Sequence, residues 1–300
     1  MVCWVCGSSK VTLLRTGVSE LQPDDFKITD SRYGTTLPLF RCTSCGFLQA
    51  DTGRYTIEKF YTELEDQAYI ESAVQREKQC YHLLMQTRKY MSIPKPKILD
   101  IGAGAGLLVK EAAKLGWDVQ GIDPSVYLSE KAKKAGLPVV QGIFPHAACP
   151  GPYDAIFLID VIEHMEHPLD LLSALSGYLD KAGIIVLVTP NVSSLMAKLM
   201  GKKWWHYRIA HIGYYNKKTL TILMKRSGFS PVRFTLSPWY FSGDYILQRL
   251  VRYIPVSIPP PPPPRGRNHN MTAYLKRMIL PINFFDSLTA VFSNRNRDRT

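Results

Sequence analysis

Apolar and polar positions along this chain fall into short runs whose period switches between two and 3.6 residues. The clearest switch lies in 97–123, KILDIGAGAGLLVKEAAKLGWDVQGID. An apolar run ending at Asp100 passes into Gly102, Ala103, Gly104, Ala105 and Gly106, after which 107–115 continues with helical periodicity. A second apolar run closes on Gly121, Ile122 and Asp123, 21 positions after Gly102. The pattern predicts strand, glycine loop, helix, strand, with an acid at the end of the second strand. In doubly wound sheets the ligand lies at the carboxyl ends of such strands, where an acid can grip ribose hydroxyls.

The rest of the pattern extends the same architecture. A polar helix is expected over 71–90, stopped by Pro94 and Pro96 before the first strand, and another over 124–135, closed by Gly136. Residues 138–142 predict a short third strand. The continuous apolar run 155–159 predicts a fourth strand covered on both faces, and 183–189 a fifth. His211 is expected to open a helix rich in Lys217, Lys218, Lys225 and Arg226, and 229–236 to form a late strand. The predicted fold class is α/β, a doubly wound Rossmann-like sheet.

The glycine spacing narrows the ligand. A dinucleotide fingerprint needs a third glycine where this chain has Leu107, and a phosphate-binding P-loop needs Gly-Lys-Ser/Thr, which is absent. What remains suits a ligand with a ribose and a positively charged amino-acid part but no phosphate. The stretch resembles motif I and the following acidic position of class I S-adenosylmethionine-dependent methyltransferases. That resemblance implies that Asp100, Gly102, Gly104 and Gly106 line the methionine part, with Asp123 on the ribose. It also implies that Gly142, Ile143 and Phe144 form a loop over the adenine, and Asp160 is counted with the cofactor-binding residues.

Cysteine changes the picture at the N-terminus. Cys3 and Cys6 form one C-x-x-C, Cys42 and Cys45 another, each followed at once by glycine, with 35 residues between the pairs. Four thiolates close a tetrahedral structural zinc site. Cys80 and Cys149 read as unpaired, buried thiols. The segment from Cys42 through Ile70 resembles the N-terminal ribbon and tyrosine-rich link of bacterial methyltransferases that tailor glycans and natural products. The expected organisation is a zinc ribbon over 1–54, a helical connector over 55–92, the methyltransferase domain over 93–248, and a proline-containing, irregular basic extension over 249–300.

A second constellation follows the fourth strand: Asp160, Val161, Ile162, Glu163, His164, Met165, Glu166, His167, Pro168. Methyl transfer is largely a matter of positioning, but a hydroxyl acceptor must also lose its proton. Three readings stay open. His164 or His167 acts as a base. Alternatively Asp160, Glu163, His164 and His211 gather a divalent cation such as magnesium, an arrangement similar to that of small-RNA 2′-O-methyltransferases and some ubiquinone-pathway O-methyltransferases. In the third, Glu163 and His164 cap the next helix and orient the loop.

With 46% hydrophobic residues the chain can build a large core, and its formal charge of +12 is uneven. From Arg249 onward nine Lys and Arg face only Asp286 and Asp298, a net +7, leaving +5 for the first 248 residues. The run at 259–264 predicts a polyproline rod, and 271–292 an apolar segment interrupted by Pro281. Such a tail suits peripheral contact with a membrane, a cover for the active site, or a homodimer contact. The expected acceptor is a small molecule, a sugar, or a glycan or lipid-linked intermediate. Nucleic acid, through RNA 2′-O-methylation, is the alternative acceptor, and a non-catalytic cofactor-binding or scaffold protein the alternative class. With no export signal at residues 1–10 and no run of about 18 apolar residues, the expected location is cytoplasmic, peripheral to the inner membrane face at most.

Overall fold

The computed structural model describes residues 1–29, 32–53, 55–71, 73–243 and 278–294. The N-terminal strands are β1 (Val11–Arg15), β2 (Leu39–Cys42) and β3 (Leu48–Ala50). Helices α1 (Ile57–Thr62), α2 (Gln67–Glu71) and α3 (Ala73–Thr87) lead to β4 (Lys97–Ile101), α4 (Leu107–Lys114), β5 (Asp118–Asp123), α5 (Val126–Lys134) and β6 (Val139–Gln141). There follow β7 (Tyr153–Ile159), α6 (Pro168–Ala174), β8 (Leu179–Pro190), α7 (Leu195–Met200), β9 (Gly213–Tyr214) and α8 (Lys217–Arg226). The last elements are β10 (Phe229–Leu236), β11 (Trp239–Ser242), β12 (Ile279–Ile282) and β13 (Ser287–Asn294).

Seven strands form the central sheet in the order β10-β13-β8-β7-β4-β5-β6. Strands β4 to β8 are mutually parallel, whereas β13 runs antiparallel between β8 and β10. The expected α/β doubly wound sheet is what the chain forms. Its order reverses between β4 and β7, so the crevice above those two strands is where such a sheet binds ligands. Ala155, Ile156, Phe157 and Leu158 of β7 are fully buried, as a strand covered on both faces requires.

Four departures from the sequence pattern bear on the site. The polar helix expected over 71–90 is divided among α2, α3 and a terminal 3-10 turn, Arg88–Tyr90. His211 does not open a helix. It precedes β9, and α8 starts at Lys217 behind Asn216, whose side chain accepts from the Thr219 amide. The extension expected from residue 249 supplies a strand of its own, because β13 is buried along nearly its whole length and pairs from Ser287↔Pro190 to Ser293↔Ile184. Finally, β3 does not end the N-terminal unit. Leu48 and Gln49 pair with Tyr214 and Gly213 of β9, giving a sheet β1-β2-β3-β9 that joins the N-terminus to the segment after β8.

One apolar cluster fills that join: Phe26, Leu37 and Leu39 from the N-terminal side meet Trp204, Ile209, Ile212 and Tyr214. Trp204 is fully buried there. Burial of several such side chains, at about 1.5–3 kcal/mol each, makes this a strong attachment. The polyproline run 259–264 lies outside the described residues, as do most positions through which the tail would meet a membrane or a second copy. Among the described residues no helix is long and apolar enough to cross a membrane.

Candidate functional site

At the carboxyl end of β4 the chain turns through Gly102, Gly104 and Gly106 before α4. Gly104 has φ +54°, and a Cβ placed on it would lie 2.8 Å from the Tyr69 hydroxyl. Only glycine suits both the backbone and the space. The Gly104 amide donates to Asp123 Oδ2 at 2.7 Å, and the Ser125 amide donates to Asp123 Oδ1 at 2.9 Å. Asp123 therefore ties the loop after β4 to the turn after β5. A carboxylate offers about four lone-pair positions, so two remain for further donors. Burial pushes the Asp123 carboxyl up to about 6, against the two amides that favour its charge. Asp100, also buried, is raised well above the ordinary carboxylate range, by burial and then by the charge of Asp123. Phe144 is buried edge-on against Tyr178, while Ile143 beside it is exposed.

The residues after β7 form a separate nest. Asp160 adopts φ +52°, a conformation that a non-glycine residue rarely takes. Its buried Oδ1 has no partner. Burial pushes its carboxyl up to about 6, opposed by the positive charges of Arg76 and Arg208. Glu163 is 1% exposed; Thr189 at the end of β8 donates to its Oε2 at 2.9 Å, and its Oε1 is unpaired. Burial, then the nearby Asp160 charge, raises the Glu163 carboxyl well above the ordinary range.

Two histidines complete the nest. His164 places Nδ1 2.7 Å from the Ala210 carbonyl and 2.5 Å from the Tyr61 hydroxyl. With Nδ1–H donating to that carbonyl, Nε2 is left as the acceptor. The His211 ring lies 4.8 Å from that of His164, centroid to centroid, and its buried Nδ1 has no partner. Burial pushes His164 down to about 4 and His211 well below the usual range, so both rings are neutral. One ligand atom each from Glu163, His164 and His211 falls within 4.8 Å of the others. A carboxylate and two neutral imidazoles, with buried unpaired atoms on two of the three, fit a divalent cation.

The sequence-predicted residues thus separate into groups. Asp100, the three glycines and Asp123 converge around one loop, and Glu163, His164 and His211 around another point, with Asp160 beside them. His167 does not join them. It is exposed, stands at the position before α6 with φ +50° and no capping hydrogen bond from its side chain, and turns its ring to Trp4. At the N-terminus, Cys3 Sγ lies 3.6 Å from Cys45 Sγ and Cys6 Sγ 3.6 Å from Cys42 Sγ, all four sulfurs falling within 4.8 Å of one another.

Five neighbours of these groups carry no motif. Tyr69 leans over Gly104, and the Arg76 guanidinium lies 4.6 Å above its ring. Tyr61 and Thr189 hold the nest, and Arg208, anchored by its Nη1 on the Ile28 carbonyl at 3.0 Å, supplies positive charge to it. The sole trace of Arg208 in the sequence is a basic residue inside the aromatic run 204–215.

A family model described as a methyltransferase domain matches residues 72–233. The mitochondrial ubiquinone biosynthesis O-methyltransferase of Schizosaccharomyces pombe is 34% identical over 113 residues, covering 35% of this chain and 41% of that protein. The ubiquinone biosynthesis O-methyltransferase of Roseobacter denitrificans is 28% identical over 198 residues, 57% of this chain and 77% of that protein. The chain spans about half the length of the first curated relatives it matches. A chain from the Haloferax volcanii complex between the Trm112 methyltransferase activator and a methyltransferase aligns with 77% of this chain and 99% of its own. The TM-score is 0.50 at 13% identity, a likeness of fold.

Proposed function

Because this chain belongs to the methyltransferase-domain family, we propose that it transfers a methyl group from S-adenosylmethionine to a hydroxyl of a small molecule. The observation that carries this reading is the pairing of two groups above β4 and β7. One is a glycine loop tied to Asp123; the other is a buried nest of Glu163, His164 and His211.

The glycine loop fits the cofactor because its three glycines add no side chains of their own to the turn after β4 and Asp123 keeps two lone pairs. In this reading Asp123 holds the ribose hydroxyls, and Gly102, Gly104 and Gly106 let the methionine part approach the backbone. Ile143 and Phe144 cover the adenine. S-adenosylmethionine supplies the sulfonium methyl for an in-line displacement, and the protein's task is to align it with the acceptor oxygen.

The nest is read as the acceptor side. Neutral His164, its Nδ1 turned to the Ala210 carbonyl, presents Nε2 as a proton acceptor. Alternatively, with Nε2 bound rather than free, His164 would join Glu163 and His211 in holding a divalent cation, which when bound acts as a Lewis acid toward an acceptor hydroxyl. Asp160 stands beside that set, and Thr189 orients Glu163. Because the curated relatives are named for ubiquinone biosynthesis, a ring hydroxyl on a small aromatic molecule is the first acceptor class to try, before sugars and lipid-linked intermediates.

The deciding experiment is calorimetric titration of the chain with S-adenosylmethionine beside Asp123→Ala. Binding on the order of micromolar that weakens at least hundredfold in the variant is expected, at about 2.7 kcal/mol for that factor. A folded chain that binds no S-adenosylmethionine would sink the proposal. Dihydroxybenzoates should then be screened with and without magnesium. Cofactor binding without transfer to any acceptor tried would instead favour a binding or scaffold role.

A further inference from the structure

We propose that the four N-terminal thiolates hold one zinc ion, and that this closed site braces the nest of Glu163, His164 and His211 without touching cofactor or acceptor. The bracing half rests on the reading of that nest as the acceptor side. The zinc half stands on the sulfurs alone.

Tetrahedral zinc–thiolate bonds of about 2.3 Å place sulfurs about 3.8 Å apart. Two sulfur pairs already lie at 3.6 Å, and all four sulfurs fall within 4.8 Å of one another. Both C-x-x-C segments turn back in the same way: the Gly7 amide donates to the Cys3 carbonyl at 2.9 Å, and the Gly46 amide to the Cys42 carbonyl at 2.9 Å. Strands of five, four and three residues build a very small unit, and a metal is a common means of closing one.

From the second turn a ladder of hydrogen bonds runs to the nest. Phe47, fully buried, packs on Tyr215 at 4.9 Å, and β3 pairs with β9. The Ala50 amide donates to the Ile212 carbonyl at 2.7 Å, and the Ile212 amide donates to the Glu163 carbonyl at 2.8 Å. Ile212 is the neighbour of His211, so one strand's anchorage sets the backbone of two nest residues. Two further contacts reinforce it. The Thr52 hydroxyl donates to the Glu166 carboxylate, and Trp4, whose amide donates to Gln49 Oε1 at 3.0 Å, sets its ring edge-on to His167 at 6.0 Å. Among the described residues no such ladder runs from the thiol turns to the glycine loop, which is built on β4 and β5.

Hydrogen–deuterium exchange of the full chain, zinc-loaded and chelator-stripped, each then dialysed into excess magnesium so that the nest carries the same cation, tests both halves. Elemental analysis should find one zinc per chain, and cobalt(II) in its place should give the intense visible bands of tetrahedral thiolate coordination. Stripping should speed exchange at 160–166 and 211–215 at least tenfold, with exchange at 102–106 and the S-adenosylmethionine Kd changing less than twofold. A folded chain that takes neither zinc nor cobalt overturns the site. Unchanged exchange at 211–215 after stripping overturns the bracing.

Should the stripped chain unfold, Thr52→Val and Trp4→Ala in the zinc-loaded protein replace it. Exchange at 163–168 should rise at least threefold with zinc content and cofactor affinity intact, and no rise overturns the bracing. Failure of zinc-loaded wild type to bind S-adenosylmethionine would count against the methyltransferase proposal alone, because neither the metal content nor the exchange pattern depends on the cofactor.

Discussion

The glycine loop and the histidine nest lie at the carboxyl edge of one sheet, yet they are built in different ways. The loop is local: its backbone, its acid and its helix all come from 97–125, and two amide bonds to Asp123 hold it. The nest is assembled from segments far apart in the chain. Glu163 and His164 follow β7, Thr189 ends β8, His211 precedes β9, and Tyr61 comes from α1. Burial acts on both, but with different consequences. At the loop it raises one carboxyl that backbone amides partly stabilise. In the nest it leaves Glu163, Asp160 and His211 each with an unpaired buried atom. Polar groups are not buried unpaired without cost, and Glu163, His164 and His211 each bring one ligand atom within 4.8 Å of the others, an arrangement a cation resolves.

If the two regions are separable, substitutions should divide cleanly between them. The largest effect is expected from Gly104→Val, which forces a β-branched residue to φ +54° and against Tyr69. Its S-adenosylmethionine Kd should rise at least hundredfold by calorimetry, while manganese binding in the nest stays within twofold. A manganese affinity that fell in parallel would break the comparison.

Thr189→Val is the reciprocal test. It leaves Glu163 Oε2 unpaired, and the loss of a partner that orients a ligand costs about 10- to 100-fold in metal affinity. Electron paramagnetic resonance titration with manganese should register that loss, with cofactor affinity unchanged.

The pH dependence should be smaller over the accessible range. Asp123 titrates at about 6, above the ordinary 3.8, and only its ionised form accepts from two further hydroxyls. Cofactor affinity should therefore be full above pH 6 and fall by up to about tenfold per unit below it. Folding stability has the opposite sign: the folded chain keeps a proton that the unfolded chain releases between 3.8 and 6, so this group disfavours folding as pH rises through that window. Affinity flat from pH 7 to 5 would show that Asp123 is not what holds the ribose.

The smallest effect is expected at Asn216→Ala, which removes the cap of α8 and should cost about 1 kcal/mol of global stability. Denaturant titration should show it, with both ligand affinities unmoved.

How much was legible follows the same division. The strand, glycine loop, helix and acid of 97–123 could be read directly, because a loop whose hydrogen bonds close within 25 residues carries its signal in spacing. The paired cysteines were legible for a related reason: each C-x-x-C with its glycine is a complete turn, although only the fold brings Cys3 to Cys45 and Cys6 to Cys42. His211 was recognised as a residue but misplaced as the start of a helix. The Asn216 cap, five positions later, is the true start signal, and the intervening Gly213 and Tyr214 pair with β3. Tyr61, Tyr69, Arg76, Thr189 and Arg208 were not singled out at all, since a side chain that acts by reaching another segment leaves no period or motif of its own.

The tail marks the same boundary. Its charge and its prolines were plain, whereas the burial of β13 between β8 and β10 was not, because Ser287–Asn294 is apolar only in part and its partners in β10 and β8 lie far earlier in the chain. By itself the sequence determined the alternation of strands and helices, the cofactor-type loop with Asp123, and the two thiol pairs, all set by local spacing and backbone chemistry. Tertiary structure alone decided that Glu163, His164 and His211 meet, that the N-terminal sheet continues into β9, and that Asp286 lies buried with its Oδ2 accepting from the Trp204 indole at 3.2 Å. Those meetings depend on which distant surfaces bury one another, and no residue carries that information by its position in the chain.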